Sequence, residues 1–136
     1  MRYVVDTSVV VKWLLPEPGS EAAQRLRASD DLCAPDWITV EVAAALWKRV
    51  RFGDLPSDRA ETLLRFFRSA PVALQSSSDL VVEALAIATN TGSTVYDALY
   101  LALAVREDVA LITADTRFAR AVTASYPGRT TLLSDL

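Results

Sequence analysis

The chain has 136 residues, 51% of them hydrophobic, which is enough for one compact domain with a substantial buried core. It contains no histidine and one cysteine, Cys33. These counts exclude a Ser-His-Asp triad, histidine-ligated zinc and a disulfide framework. Acid–base or metal chemistry must therefore rest on carboxylates, hydroxyl groups, lysine and arginine.

The net charge of −3 at first argues against a nucleic-acid partner. If four of the 17 acids bind metal, however, 13 acids remain against 14 basic residues, a charge of +1. No apolar run approaches the roughly 20 residues of a membrane span, so we expect no membrane contact. The opening MRYVVDTSVV lacks a signal-peptide design because Asp6 interrupts it, which predicts a cytoplasmic location.

Short apolar runs alternate with helical patterns through the first half of the chain. The predicted elements there are a strand at 2–5, a helix at 9–15 that stops at Pro16, a helix that begins after Gly19 and runs to about residue 28, a strand at 32–34, and helices at 36–51 and 56–70. Asp36 is the predicted N-cap of the helix at 36–51, and Gly53 is its C-terminal signal.

The second half continues the alternation. Its predicted elements are a strand at 72–74, a helix capped by serine and closed near Gly92, a helix over 92–104, a strand at 109–113, a short helix opened by Asp115 and a strand at 129–133. Strands alternating with helices predict an α/β fold whose central parallel sheet, of about four or five strands, is covered by helices on both faces. Short connections and the absence of repeats favour one domain over residues 1–136.

Asp97 stands out because its segment, GSTVYDALYLALA (92–104), is apolar in almost every direction. A helix of this kind is buried on most sides, and a carboxylate within it is costly unless it is paired, protonated or bound to a metal. The nearest basic residue in sequence, Arg106, lies beyond the hydrophobic stretch. We therefore expect another group to balance Asp97.

Three further acids stand at positions that suit a shared site. Asp6 directly follows the first strand and Asp115 follows the strand at 109–113, and ligands of open parallel sheets bind beyond the carboxyl ends of the strands. Glu41 lies early in a helix with Trp37 on its side. Taken singly, Asp6 and Asp115 could be plain N-caps, and Glu41 a partly exposed helix residue. One metal site accounts for all four acids together.

Electrostatics favours that reading. Two carboxylates about 4 Å apart repel by roughly 4 kcal/mol at an effective dielectric constant near 20, so converging acids need a cation among them. Ligands that are all oxygen select Mg²⁺ or Mn²⁺ over zinc. Magnesium also accepts phosphate oxygens, which indicates hydrolysis of a phosphate ester by a metal-activated water.

The sequence resembles the PIN-domain ribonucleases, and among them the VapC toxins of toxin–antitoxin pairs. Four segments carry the resemblance, in the family's order: VVDTSVVVKWLLPE, the helix with Glu41, TVYDALYLALA and LITADTRFARA. The resemblance covers essentially the whole chain. It implies a three-layer PIN fold, and a magnesium site made by Asp6, Glu41, Asp97 and Asp115 as the catalytic and metal-binding set.

The resemblance also suggests supporting roles. Thr7 or Ser8 would orient the metal or its water, and Thr113 would support Asp115. Some relatives carry a further acid shortly after the fourth one, whereas Thr116 and Arg117 follow here, which puts a second metal position in doubt.

Basic residues provide candidate phosphate contacts. The candidates are Lys12, Arg49 and Arg117, and each has a solvated surface role as its alternative.

VapC toxins cut RNA and are held inactive by an antitoxin, and many form homodimers. The resemblance therefore implies an Mg²⁺-dependent endoribonuclease with a VapB-type antitoxin, an RNA substrate for which tRNA and rRNA are both compatible, and a homodimer. Aromatic residues near Trp47 and Phe52 are candidate contact surface, or simply the inside of a helical hairpin. The alternative function is a non-catalytic PIN-like interaction module, against which the intact set of four acids argues.

Overall fold

A computed structural model describes residues 1–136. Five parallel strands form one sheet in the order β3-β2-β1-β4-β5. The elements, in chain order, are β1 (Arg2–Val5), α1 (Thr7–Leu14), α2 (Ser20–Ser29), β2 (Asp31–Pro35), α3 (Ile38–Phe52), α4 (Ser57–Arg68), β3 (Val72–Gln75), α5 (Val81–Thr91), α6 (Val95–Glu107), β4 (Ala110–Thr113), α7 (Thr116–Thr123) and β5 (Thr130–Leu132). The predicted α/β architecture, a central parallel sheet flanked by helices, is confirmed.

Strand β1 occupies the middle of the sheet and sets its register. Val4 pairs with Cys33 of β2 on one side and with Leu111 of β4 on the other. Because all five strands run in the same direction, the segments that follow β1, β2 and β4 leave the sheet at one common edge. This edge is called the carboxyl edge below.

Helix α6 is the most deeply buried helix of the molecule. Its residues 98–104 are all buried, and it packs against α5 and against β1, β2 and β4. The core is a single cluster of 32 buried residues to which all the α-helices and the strands β1, β2 and β4 contribute. Burial of α6 on nearly all sides explains why its sequence has no polar face.

Two predicted helix starts are wrong. The first turn of α3 is preceded by Trp37, and the Asp36 carboxylate instead accepts the backbone N–H of Ser77 at 3.0 Å. The Asp36 N–H continues the sheet by donating to the Gln75 carbonyl at 2.7 Å, so this residue is still tied to β3 when the helix begins. The serine-rich segment before α5 does not cap it either, because it forms a short 3₁₀ turn, Ser78–Leu80.

Two glycines end helices as predicted. Gly53 follows α3, with its N–H bonded to the Arg49 carbonyl at 3.0 Å. Gly92 closes α5 in the left-handed conformation, at φ +77°, where a side chain would be strained. None of the helices is both long enough and apolar enough to cross a membrane.

Candidate active site

Asp6 lies at the carboxyl end of the central strand, almost completely buried. Its carboxylate accepts hydrogen bonds from the hydroxyl groups of Ser8 and Thr113. It is also the N-cap of α1, since Oδ1 accepts the N–H of Val9 at 3.4 Å. Asp6 is therefore a helix N-cap, and this role does not exclude its role as a candidate metal ligand.

Burial dominates the electrostatics of Asp6. Removal from water raises the pKa of this carboxyl from 3.8 to about 6. The hydrogen bonds from Ser8, Thr113 and Val9 act in the opposite direction, and repulsion from Asp97 raises the pKa further. At neutral pH Asp6 therefore carries a charge that the surrounding protein does not balance.

Ser8 and Thr113 connect the ends of β1 and β4. Ser8 Oγ accepts the N–H of Ala114 at 2.9 Å, and Thr113 Oγ1 accepts the N–H of Asp115 at 3.1 Å. Thr113 thus contacts Asp115 through its backbone, while its own proton goes to Asp6. These two hydroxyl groups fix the position of Asp6 relative to the segment that carries Asp115.

Asp115 caps α7 in the same way that Asp6 caps α1. One of its oxygens, Oδ1, accepts the N–H of Phe118 at 3.0 Å, as the sequence predicts. The residue as a whole is exposed to solvent, unlike Asp6. Its second carboxylate oxygen is not used by the cap.

Asp97 occupies the first turn of α6 and is half-buried. Burial raises the pKa of its carboxyl, and repulsion from Asp115 adds to the increase. Arg106 does not compensate it, because that guanidinium binds Glu83 at 2.9 Å and the Asp79 carbonyl at 2.8 Å. No salt bridge reaches Asp97 from any other basic residue.

Glu41, on the first turn of α3, is held by two hydroxyl groups. Tyr100 donates a hydrogen bond to Oε1, and Thr7 donates to the same oxygen at 3.3 Å. The Tyr100 and Thr7 oxygens are themselves 3.2 Å apart. Burial raises the pKa of Glu41, and repulsion from Asp97 raises it further. Thr7, predicted to support the metal, thus supports a carboxylate.

Tyr100 was not among the site residues predicted from the sequence. Only 2% of this residue is exposed, and both burial and the neighbouring Glu41 charge raise the pKa of its phenol. A signal was present in the sequence, because positions three apart on a helix share a face and Tyr100 lies three residues after Asp97. Tyr100 was not recognised because a buried aromatic residue fits the apolar pattern of its neighbours on α6.

Electrostatic coupling links the four carboxylates in a chain. Asp97 is the common member, since its charge acts on Asp6 and on Glu41 while that of Asp115 acts on Asp97. No three acidic or cysteine side chains converge closely enough in the structure to form a closed metal site. The donor set itself, all oxygen and strongly anionic, fits a hard divalent cation.

The three basic candidates differ in availability. The Lys12 ammonium lies 3.1 Å from Glu17 and 2.7 Å from the Pro18 carbonyl, and Arg49 lies 3.5 Å from the same glutamate. Both are thus engaged within the protein. Arg117 is exposed on the first turn of α7 and forms no ion pair.

Comparison with known proteins gives a consistent result. The family model described as PIN domain matches residues 3–123 of this chain. Ribonuclease VapC3 of Pyrobaculum aerophilum is 37% identical over 124 residues, which are 88% of this chain and 93% of that protein.

Solved structures share the fold. The crystal structure of PAE2754 from Pyrobaculum aerophilum has a TM-score of 0.71 at 22% identity, covering 98% of this chain and 93% of its own. A toxin–antitoxin complex from Klebsiella pneumoniae has a TM-score of 0.69 at 17% identity, covering 98% and 99%. With the family match over residues 3–123 and the identity to Ribonuclease VapC3, these findings show that this chain belongs to the PIN-domain family, among relatives of the VapC type.

Proposed function

We propose that this protein is a metal-dependent endoribonuclease, the toxin of a toxin–antitoxin pair. The observation that carries the proposal is the half-buried carboxylate of Asp97, which no basic side chain balances and which is coupled to three other acids. The name of its relative, Ribonuclease VapC3, supports RNA as the substrate. A degenerate interaction module would have no use for this uncompensated charge.

The cation-binding residues in this proposal are Asp6, Asp97 and Asp115, with Glu41 completing the set directly or through water. Mg²⁺ is the proposed ion and Mn²⁺ the alternative, because both prefer oxygen ligands. When bound, such an ion supplies an activated water and neutralises charge that develops on the phosphate.

The chain's own residues prepare this site before any substrate binds. Ser8 and Thr113 orient Asp6, and Thr7 and Tyr100 orient Glu41. Fixed side chains lose little conformational freedom on binding an ion, so the hydroxyl groups raise the affinity of the carboxylates for it. The deep burial of Asp6 also strengthens its attraction for a cation.

An antitoxin is the proposed protein partner, supported by the toxin–antitoxin complex that shares this fold. We infer that it contacts the groove between α3 and α4, a cavity of about 220 Å³ lined mainly by apolar residues. Trp47, which borders the groove, is 56% exposed and meets the exposed Phe52 edge-on at 6.1 Å. Large exposed aromatic residues of this kind are enriched at protein interfaces. We also propose that the protein forms a homodimer and acts in the cytoplasm.

The first test concerns catalysis. Asp97→Asn keeps the size of the side chain and removes its charge, so cleavage of total cellular RNA in magnesium should fall by at least about 100-fold. EDTA should abolish cleavage by the unchanged protein. Asp54→Asn, which removes an exposed acid between α3 and α4, is the matched control and should cleave normally. Undiminished cleavage by a folded Asp97→Asn protein would contradict the proposal.

The second test concerns the charge of Asp6. A folded-state pKa of about 6, above the ordinary 3.8, means that the folded protein binds the extra proton between these values. The contribution of Asp6 to the free energy of unfolding is therefore greatest below about pH 4. It falls as the pH rises through about 6, by roughly 3 kcal/mol in total at neutral pH. In EDTA near pH 7.5, Asp6→Asn should raise the free energy of unfolding by about 1–3 kcal/mol, because the amide is uncharged but accepts fewer hydrogen bonds.

Urea unfolding with and without magnesium measures this effect. Near pH 4 the gain should vanish, and magnesium near pH 7.5 should stabilise the unchanged protein more than Asp6→Asn. An equal loss of stability for Asp6→Asn at both pH values would mean that the carboxylate serves only the fold.

The third test concerns Tyr100. Tyr100→Phe leaves Glu41 with Thr7 as its one hydroxyl donor, so the magnesium concentration at half-maximal cleavage should rise by about 10-fold. Tyr126→Phe is the control, because Tyr126 is a partly buried tyrosine that packs against the hydrophobic core from the segment after α7. An unchanged magnesium requirement in Tyr100→Phe would show that the tyrosine only fills space.

A further inference from the structure

Two aromatic side chains stack on each other beside the acidic residues. The rings of Trp37 and Tyr96 are 5.6 Å apart between centroids and inclined by 19°. Tyr96 directly precedes Asp97, and Trp37 lies one helical turn before Glu41. Tyr96 is 56% exposed whereas Trp37 is half-buried, so the solvent-accessible ring surface of the pair is mainly that of Tyr96.

Trp37 forms the fixed half of the pair. Its backbone N–H donates to Ser77 Oγ at 2.9 Å, in the same junction where Ser77 binds Asp36. The indole N–H is buried without an acceptor, which is rare and unfavourable. The indole N–H therefore adds no hydrogen bond, and the ring stacked on Tyr96 is what this side chain contributes.

The order of the strands places this pair relative to the acids and to Arg117. Along the carboxyl edge, Trp37 follows β2, Asp6 follows β1, and Arg117 stands just beyond β4. Because β2 and β4 are the two neighbours of β1, Trp37 enters this edge from the β2 side of Asp6 and the segment with Arg117 from the β4 side.

We propose that Tyr96, backed by Trp37, is a stacking platform for an unpaired base next to the phosphate that is cut. Arg117 binds a phosphate on the opposite side of the acids. This inference rests on the proposed RNA cleavage and adds a feature of the substrate, which is that the nucleotide beside the cut is single-stranded. Base stacking on aromatic rings tolerates any sequence, so the platform supplies affinity and position rather than a base code.

Cleavage kinetics test the platform. A synthetic RNA spanning a cleavage site mapped in total RNA is compared with two versions that lack the base on one or the other side of the cut. Tyr96→Ala should lower kcat/KM on the intact RNA by about 5- to 150-fold, mainly through KM. With the unchanged protein, one of the two abasic RNAs should show a similar decrease in kcat/KM. With Tyr96→Ala, the same abasic RNA should show no further decrease. Tyr96→Phe should restore most of the activity, since the ring remains.

Leu85→Ala is the control, because it shortens an exposed apolar side chain on α5 outside the proposed site. Normal cleavage of the intact RNA by Tyr96→Ala would contradict the proposed platform. So would a further drop in kcat/KM when Tyr96→Ala is combined with each of the two abasic RNAs. Thermal unfolding of each variant separates these outcomes from loss of the fold.

Equilibrium binding distinguishes failure of this inference from failure of the proposed activity. A fluorescent oligoadenylate and an abasic strand of the same length are titrated with Asp97→Asn and with Asp97→Asn carrying Tyr96→Ala. The alanine should weaken binding of the oligoadenylate by a similar factor and leave the abasic strand unaffected. This result without RNA cleavage by the unchanged protein would reject the nuclease and retain the platform. Equal binding of the oligoadenylate by both proteins would reject the platform.

Discussion

Mutual repulsion among carboxylates at the carboxyl edge of the sheet is the constraint on which the rest of the site depends. Asp97 couples to the other three acids, and burial makes the charge of Asp6 still harder to maintain. Left to themselves, such groups would take up protons or turn away into solvent. Ser8, Thr113, Thr7 and Tyr100 prevent the turning, because each donates a hydrogen bond or fixes a backbone next to an acid. The protein therefore holds negative charge in a place where a cation is the natural complement.

Helix capping and ion binding share the same side chains here. Asp6 and Asp115 each cap the helix that follows their strand, and the N-terminus of a helix favours negative charge. The cap thus gives each aspartate a role in the fold whether or not an ion binds, although at Asp6 the cost of burying the charge exceeds what its hydrogen bonds return. The cap restrains one oxygen of the carboxylate and leaves the other for a different partner. This sharing explains how a short α/β chain without histidine can assemble an anionic site from its strand ends.

The sequence allowed prediction of those features that follow from a periodic pattern. The apolar pattern of α6 made Asp97 conspicuous, and the strand at 2–5 placed Asp6 at the carboxyl edge. Tyr100 could not be recognised in the same way, because its aromatic ring satisfies the buried pattern and its function depends on Glu41, 59 residues away. The prediction of Asp36 as a helix N-cap was wrong for a related reason, because its carboxylate binds the backbone N–H of Ser77, 41 residues away. Long-range hydrogen bonds of this kind leave no local pattern.

Topology determines which parts of the edge are available to a long substrate. Lys12 and Arg49 share one carboxylate, Glu17, which neutralises one of their two positive charges and holds both side chains within the protein. Arg117, two residues after Asp115 and beyond β4, forms no ion pair. Trp37, which stacks on the exposed Tyr96, follows β2 on the other side of the central strand. An anion drawn only by charge would meet repulsion from four acids over most of this edge. A ligand that combines phosphate with flat apolar rings has a contact on each side of them, and single-stranded nucleic acid has that composition.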